Sequence, residues 1–224
     1  MARYKNGING PVSGKIGNVV GGSWRGIDYL RSLPDTSNKT FSEKQKNQHF
    51  LMGLVSSWLK PLKLIVEKGY QAIMSGKTPM NACVSYHMKN AVEGNSPLEY
   101  MIDFAKVILS RGELLIPLIR EVLSLIDAVL HIKWENASAS IFNNEDDKAT
   151  IVVYNPAKKA FVSFEDVAQR ADKEVMLRLP AGYAGDTVHC WQHFVNANGN
   201  MVSTSVYLGE LLVVGQGSAG PIFK

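Results

Sequence analysis

A change in the spacing of apolar residues near residue 128 constrains the fold of this chain more than any other feature. Between residues 50 and 66, apolar residues recur every three or four positions, which is typical of an amphipathic helix. After residue 128, segments such as 174–179 alternate apolar and polar residues, which indicates strands with one buried face. The sequence therefore predicts an α+β protein, with helices first and an antiparallel sheet after them.

Two helices are predicted before the change in period. Overlapping capping-box patterns at residues 40–45 place the start of the first helix near Ser42. Pro61 lies inside this helix and should kink or split it, because proline lacks the amide hydrogen that the helix needs. Thr78 followed by Pro79 begins a second helix that runs to about residue 93. We therefore expect a helical hairpin.

Several short strands with turn residues between them predict an antiparallel β-sandwich. Asn198 and Gly199 form a strong two-residue hairpin signal before the last strand. We place a domain boundary accordingly, with a Gly-rich arm and helical region at 1–103, the sandwich at 104–210, and a Gly-rich tail at 211–224. The predicted strands cover residues 104–110, 129–134, 149–154, 160–164, 174–179, 187–195 and 201–208.

The first 34 residues combine frequent glycines with single apolar residues, and they carry the excess positive charge. Residues 1–33 hold five basic side chains and one acidic one, a net charge of +4 that equals the net charge of the whole chain. Glycine is costly to order, and a flexible linker has no need of Trp or Tyr. We therefore predict an extended arm that becomes ordered against its own body or against a neighbouring subunit.

Four residues of this arm form the best candidate site, an interface made by Trp24, Arg25, Tyr29 and Arg31. Aromatic side chains and arginine are common anchors between proteins, so a protein partner or a second copy of the chain is the favoured ligand. The alternative is nucleic acid, on which the same residue types stack and form ion pairs. A third reading is that the arm folds onto its own domain.

No motif for catalysis, a metal or a cofactor is found, so we expect a non-enzymatic protein with no cofactor. His189 and His193 are four positions apart in a predicted strand, about 13 Å, too far to share a metal ion. We expect both imidazoles to be half-exposed. The acidic loop at 143–147 lacks the glycine of calcium loops, and the segment 10–16 lacks the spacing of a phosphate loop. Cys190 would face away from His193 on the same strand.

The remaining composition bounds where such a protein works. Two cysteines are too few for a disulfide-stapled scaffold. The sequence contains no run of about 18 uncharged apolar residues, so we predict no membrane-spanning helix. The first residues contain no apolar stretch of a secretory signal. We therefore expect a cytoplasmic or particle-associated protein that does not enter a membrane.

The sequence resembles known proteins in two respects. Trp134 in an early strand, Leu179-Pro180 before a turn, and Trp191 in the penultimate strand resemble a fibronectin type III or immunoglobulin-like module. The whole chain also resembles an uncharacterised bacterial protein family, which implies a fold but no activity. The residues that carry this second resemblance are Ser13-Gly-Lys-Ile-Gly17, Val19-Val-Gly21, Trp24-Arg-Gly26, and the segments 31–34, 185–189, 194–195 and 203–209.

These observations favour a structural or interaction subunit of a phage-like particle or another bacterial assembly, with the amino-terminal arm mediating contacts. The sandwich fold alone supports this role only by analogy, because the same fold serves many unrelated functions. The alternative is a nucleic-acid-binding protein that uses the basic arm.

Overall fold

The computed structural model describes residues 3–4, 10–24, 26–35, 40–72, 76–138 and 140–215. The chain divides into two compact units, residues 1–43 and 44–224. This division differs from the predicted boundary after residue 103, because the helices share a hydrophobic cluster with strands of the sandwich. That residues 104–210 form a domain of their own stays a prediction.

The amino-terminal unit is a four-stranded antiparallel sheet in the order β1-β2-β3-β4. The segment predicted as an extended arm therefore forms hydrogen bonds between its own strands. Its strands are β1 (Arg3–Tyr4), β2 (Val12–Ile16), β3 (Val19–Trp24) and β4 (Ile27–Ser32).

The helical hairpin begins where the sequence predicted. Helix α1 spans Glu43–Leu59, a 3₁₀ turn spans Lys60–Leu62, and α2 spans Lys63–Gly69, so the break falls at Pro61 as expected. Helix α3 spans Pro79–Asn90, and the Thr78 hydroxyl accepts a hydrogen bond from the amide of Asn81 at its first turn. It ends a few residues earlier than predicted. No described helix is long and apolar enough to cross a membrane.

The antiparallel sandwich predicted from the sequence is confirmed. One sheet has four strands in the order β10-β9-β12-β13, and the other has three in the order β11-β8-β7. Two short strands, β5 (Val92–Glu93) and β6 (Met101–Ile102), pair with each other after α3. The strands of the sandwich are β7 (Leu118–Leu125), β8 (Val129–Glu135), β9 (Lys148–Asn155), β10 (Ala160–Phe164), β11 (Glu174–Arg178), β12 (Thr187–Val195) and β13 (Val206–Leu212).

The predicted strand at 104–110 is wrong, and the first strand of the sandwich is β7 instead. The Asp103 side chain caps a 3₁₀ turn at Phe104–Lys106. Beyond this turn the backbone is bonded to distant groups rather than to a strand. The Ile108 amide donates to Nε2 of His87, and the Leu109 amide donates to Oγ of Ser205.

The two central strands of the larger sheet, β9 and β12, are buried on both faces. One face packs against the smaller sheet, where Trp134 lies 5.8 Å from Phe194 between ring centroids. The other face packs against the helices and includes Tyr154 and Trp191. Trp134 therefore lies between the two sheets, and Trp191 lies beneath the helices.

Trp58 of α1 joins the helices to the sheet through a cluster of aromatic rings. Its ring centroid lies 5.1 Å from Phe161, 5.6 Å from Tyr154 and 6.2 Å from Trp191, each in an edge-to-face arrangement. Such pairs add to the free energy gained from burial alone. The indole nitrogen of Trp58 is buried and has no hydrogen-bond partner among the described residues, so the ring acts by packing.

We predict that Trp58→Ala lowers the free energy of unfolding by about 3–5 kcal/mol, because it empties the centre of the aromatic cluster. Trp58→Phe should cost less than half of that, since it keeps a ring and loses no hydrogen bond of the indole. Urea unfolding of both variants and the parent measures the difference. An unchanged midpoint for Trp58→Ala would contradict the core role of this ring.

The strand histidines are buried, and the expectation that they are half-exposed is wrong. His189 and His193 lie on the helix-facing side of β12, together with Trp191. Burial, together with a smaller effect of the nearby charge of Lys68, lowers the pKa of His193 to about 4. Burial also lowers the pKa of His87 in α3. These imidazoles are therefore neutral in the folded protein at physiological pH.

We predict that the protein loses stability as the pH falls from about 6.5, the ordinary pKa of histidine, towards 4. In this range the unfolded chain binds a proton at His193 that the folded protein does not bind, so acid favours unfolding. The contribution of His193 alone is about 3 kcal/mol. His193→Gln should flatten the dependence of unfolding free energy on pH in this window. Equal slopes for variant and parent would contradict the assignment.

Candidate interaction surface

Two tight hairpins set the register of the amino-terminal sheet. Gly17, with φ of 55°, lies in the turn between β2 and β3, and Gly26, with φ of 83°, lies in the turn between β3 and β4. These left-handed conformations favour glycine, which has no Cβ to clash. In the second hairpin Trp24 lies opposite Ile27, Gly22 opposite Tyr29, and Val20 opposite Arg31.

Directly opposite residues share one face of an antiparallel sheet, so this register defines a surface. Trp24, Ile27, Tyr29 and Arg31 lie on the same face, which we call the tryptophan face. Lys15 of β2 lies opposite Val20 and adds a second basic residue to it. The exposed fractions are 54% for Trp24, 69% for Ile27 and 45% for Tyr29. The structure thus brings together three of the predicted interface residues. Arg25 lies outside the described residues.

The Tyr29 ring lies directly over Gly22, which has no side chain to displace it. A Cβ atom at Gly22 would lie 3.0 Å from the hydroxyl oxygen of Tyr29 and 3.1 Å from the adjacent ring carbon. The ring therefore occupies the space that any larger residue at position 22 would fill. It presents a flat aromatic surface beside Trp24, and a flat, rigid surface loses little conformational entropy when it binds.

The opposite face of this sheet is crossed by the chain itself. A Cβ at Gly21 would lie 2.2 Å from the carbonyl oxygen of Val12, so the start of β2 passes directly over Gly21. Sequence reasoning missed this crossing and the place of Lys15 on the tryptophan face. The signal lay in the sequence, where Gly17-Asn18 and Arg25-Gly26 each stand between apolar residues, a pattern typical of two-residue hairpin loops that would have predicted the register.

We predict that Gly21→Ala destabilises the amino-terminal sheet by about 1–3 kcal/mol, because a backbone oxygen occupies the site of the new methyl group. The matched control is Gly53→Ala in α1, where no atom lies within 4 Å of the added Cβ. The rate of tryptic cleavage at Lys15 and Arg31 reports opening of the sheet. It should rise in the first variant and stay unchanged in the second. Equal rates would show that Val12 does not cross Gly21.

A Cys and His pair in α3 lies close enough to suggest nucleophilic chemistry, but its bonds are structural. The sulfur of Cys83 lies 3.5 Å from Nδ1 of His87, and that nitrogen bonds the carbonyl of Cys83 at 2.8 Å. The other ring nitrogen accepts from the amide of Ile108. Burial raises the pKa of Cys83 to about 12. The thiol is therefore protonated, and the imidazole has no free nitrogen to act as a base.

The acidic loop that resembles a calcium-binding segment is organised around an arginine. One carboxylate oxygen of Asp147 accepts a hydrogen bond from Nε of Arg170 at 2.9 Å, and both side chains are buried. The same guanidinium donates to the carbonyl of Leu115 and lies over the ring of Phe194. Arg170 neutralises this carboxylate and joins the loop to the core of the sandwich.

A family model covers most of the chain. It is described as a family of unknown function (DUF6266), and it matches residues 11–209. The chain therefore belongs to this family. No curated protein matches the sequence significantly.

Two solved structures resemble the sandwich. The fn3 domain of human collagen alpha-1(XX) chain is 14% identical, with a TM-score of 0.35, over 48% of this chain and 93% of that one. The fn3 domain of human contactin 1 is 12% identical, with a TM-score of 0.32, over 50% of this chain and 88% of that one. The fold assignment itself follows from the strand order in the two sheets.

Proposed function

We propose that this protein is a non-enzymatic structural subunit of an assembly, such as a phage-like particle, and that its amino-terminal sheet binds a protein neighbour. The observation that carries the proposal is the tryptophan face. It joins an exposed Trp, an exposed Tyr and an arginine on one small sheet. Trp, Tyr and Arg are the residues most enriched among those that dominate the affinity of protein interfaces.

The physical cost of leaving this face in water supports a binding role. Trp24, Ile27 and Tyr29 keep about half or more of their surface exposed, although each could gain free energy by burial. A partner that covers them would remove apolar area from water, while Arg31 and Lys15 at the side would pair with acidic groups. A neutral or acidic protein surface with an apolar centre has the matching chemistry.

The chemistry of the second unit supports the non-enzymatic part of the proposal. The thiols of Cys83 and Cys190 are buried, and burial raises the pKa of both to about 12. The imidazole of His87 is bonded at both nitrogens to backbone groups. These groups lack the exposure and the pKa that nucleophiles and general bases need at neutral pH.

Sedimentation velocity over a wide concentration range tests the proposal. We expect the protein to associate, and we expect Trp24→Ala to weaken the association about 30-fold, a loss typical of an interface anchor. The matched control is Met176→Ala, which removes a side chain of similar exposure, 62%, from β11 of the sandwich. That variant should associate like the parent.

The alternative function is tested by a separate measurement of oligonucleotide binding. Lys15 and Arg31 lie beside two aromatic rings, which is also an arrangement for binding single-stranded nucleic acid. Retention of an oligonucleotide that falls steeply with salt and with Arg31→Ala would replace the proposal by this alternative. A chain that stays monomeric at every concentration and binds no polyanion would overturn both.

A further inference from the structure

Strand β4 is one of the two edge strands of the amino-terminal sheet and is exposed along its whole length. All six residues from Ile27 to Ser32 are exposed, and among the described residues this strand pairs only with β3. Leu30, for example, has 63% of its surface exposed to solvent. The strand therefore offers a row of backbone amides and carbonyls, together with apolar side chains, to another strand.

The hydrogen bonds to β3 determine which backbone groups point outward. The amide of Leu33 donates to the carbonyl of Asn18, so residues 33 and 18 are a hydrogen-bonded pair. Bonded and non-bonded pairs alternate along an antiparallel ladder. Tyr29 and Arg31 therefore bond to β3, whereas Asp28, Leu30 and Ser32 turn their amides and carbonyls towards the open edge.

This edge lacks the protection that two of the four edge strands of the sandwich, β7 and β13, have. In β7 the register against β8 shifts at Arg120, and in β13 the register against β12 shifts next to Gly209. Bulges of this kind prevent an edge from pairing with a further strand. Strand β4 keeps a regular register over six residue pairs and contains neither proline nor lysine.

The residues of β4 are complementary to a second copy of themselves. Two antiparallel strands related by a two-fold axis must place like residues opposite each other at the axis. With Leu30 at the axis, Tyr29 faces Arg31 of the second copy, and Asp28 faces Ser32 of that copy. The register with Tyr29 at the axis would place Arg31 against Ile27 and Asp28 against Leu30. The first register pairs the cation with an aromatic ring and the carboxylate with a hydroxyl.

We propose that β4 pairs antiparallel with β4 of a second copy, with Leu30 at the two-fold axis. The inference rests on the proposed function, since it describes how two amino-terminal sheets present their tryptophan faces to the protein neighbour. About six backbone hydrogen bonds join the copies, from the outward groups of Asp28, Leu30 and Ser32. Because the axis is perpendicular to the sheet, both tryptophan faces lie on the same side of one continuous sheet. The dimer thus presents two equal binding surfaces in one direction.

Oxidative cross-linking of single-cysteine variants tests the register. Opposite residues of a hydrogen-bonded antiparallel pair have Cα atoms about 5.5 Å apart, which a disulfide can span. Leu30→Cys should therefore form a covalent dimer under a mild oxidant. The matched control is Ser23→Cys, an exposed position of β3 one strand further from the axis. The two native cysteines are buried and serve as the common background. Equal yields for the two variants would overturn the proposal.

A second pair of variants tests the pairing without a covalent bond. Leu30→Lys and Leu30→Glu should each be monomeric at concentrations where the parent is a dimer, because like charges meet at the axis. Mixing the two should restore a dimer. A dimer in each single variant would overturn the proposal, and so would more efficient cross-linking of Tyr29→Cys than of Leu30→Cys.

The outcome also separates this inference from the proposed function. Trp24 lies on β3 and does not reach the axis, so Trp24→Ala should leave the Leu30→Cys cross-link intact. Association that is lost in Trp24→Ala but unchanged in Leu30→Lys would refute edge pairing and leave the proposed function in place. Cross-linking at Leu30 with no effect of Trp24→Ala on any association would refute the proposed function and retain the dimer.

Discussion

The packing of β9 and β12 on both of their faces is the constraint on which the carboxy-terminal unit depends. On each strand, the residues of one face, such as Val153 and Cys190, complete the core between the sheets. The residues of the opposite face, such as Val152, Tyr154 and Trp191, must be buried by another layer, and helices α1 to α3 form that layer. A two-sheet sandwich alone would leave this large apolar face in water. The unit is thus a sandwich with a third, helical layer.

The sequence predicted those elements whose signals are local. Alternation and turn residues located β8, β9, β10, β11 and β12, and capping residues located the starts of α1 and α3. The predicted strand at 104–110 failed because the backbone there is satisfied by His87 and Ser205, which are distant in sequence. Such bonds leave no periodic pattern. The buried histidines of β12 were misjudged for a related reason, because the helical layer that covers them comes from another part of the chain.

In the candidate site, the sequence revealed the residue types, whereas their common face became clear only from the strand register. Trp24, Tyr29 and Arg31 were found by residue type alone, since aromatic residues and arginine are unusual in a Gly-rich segment. Their common face required the register, and the register depends on the two-residue turns at Gly17 and Gly26. Lys15 was missed because it joins this face only through Val20 on the neighbouring strand. Whether this face binds a neighbour stays a prediction.

The order of the layers along the chain has a consequence for biosynthesis. Trp58 leaves the ribosome first, and its partner Trp191 follows 133 positions later. At ordinary rates of translation this separation corresponds to roughly 7–27 s. During that time the nascent helices carry an uncovered apolar face, made by residues such as Val55, Leu59 and Leu62. This apolar face therefore stays uncovered until β12 has been synthesised, and the unit cannot complete its core before then.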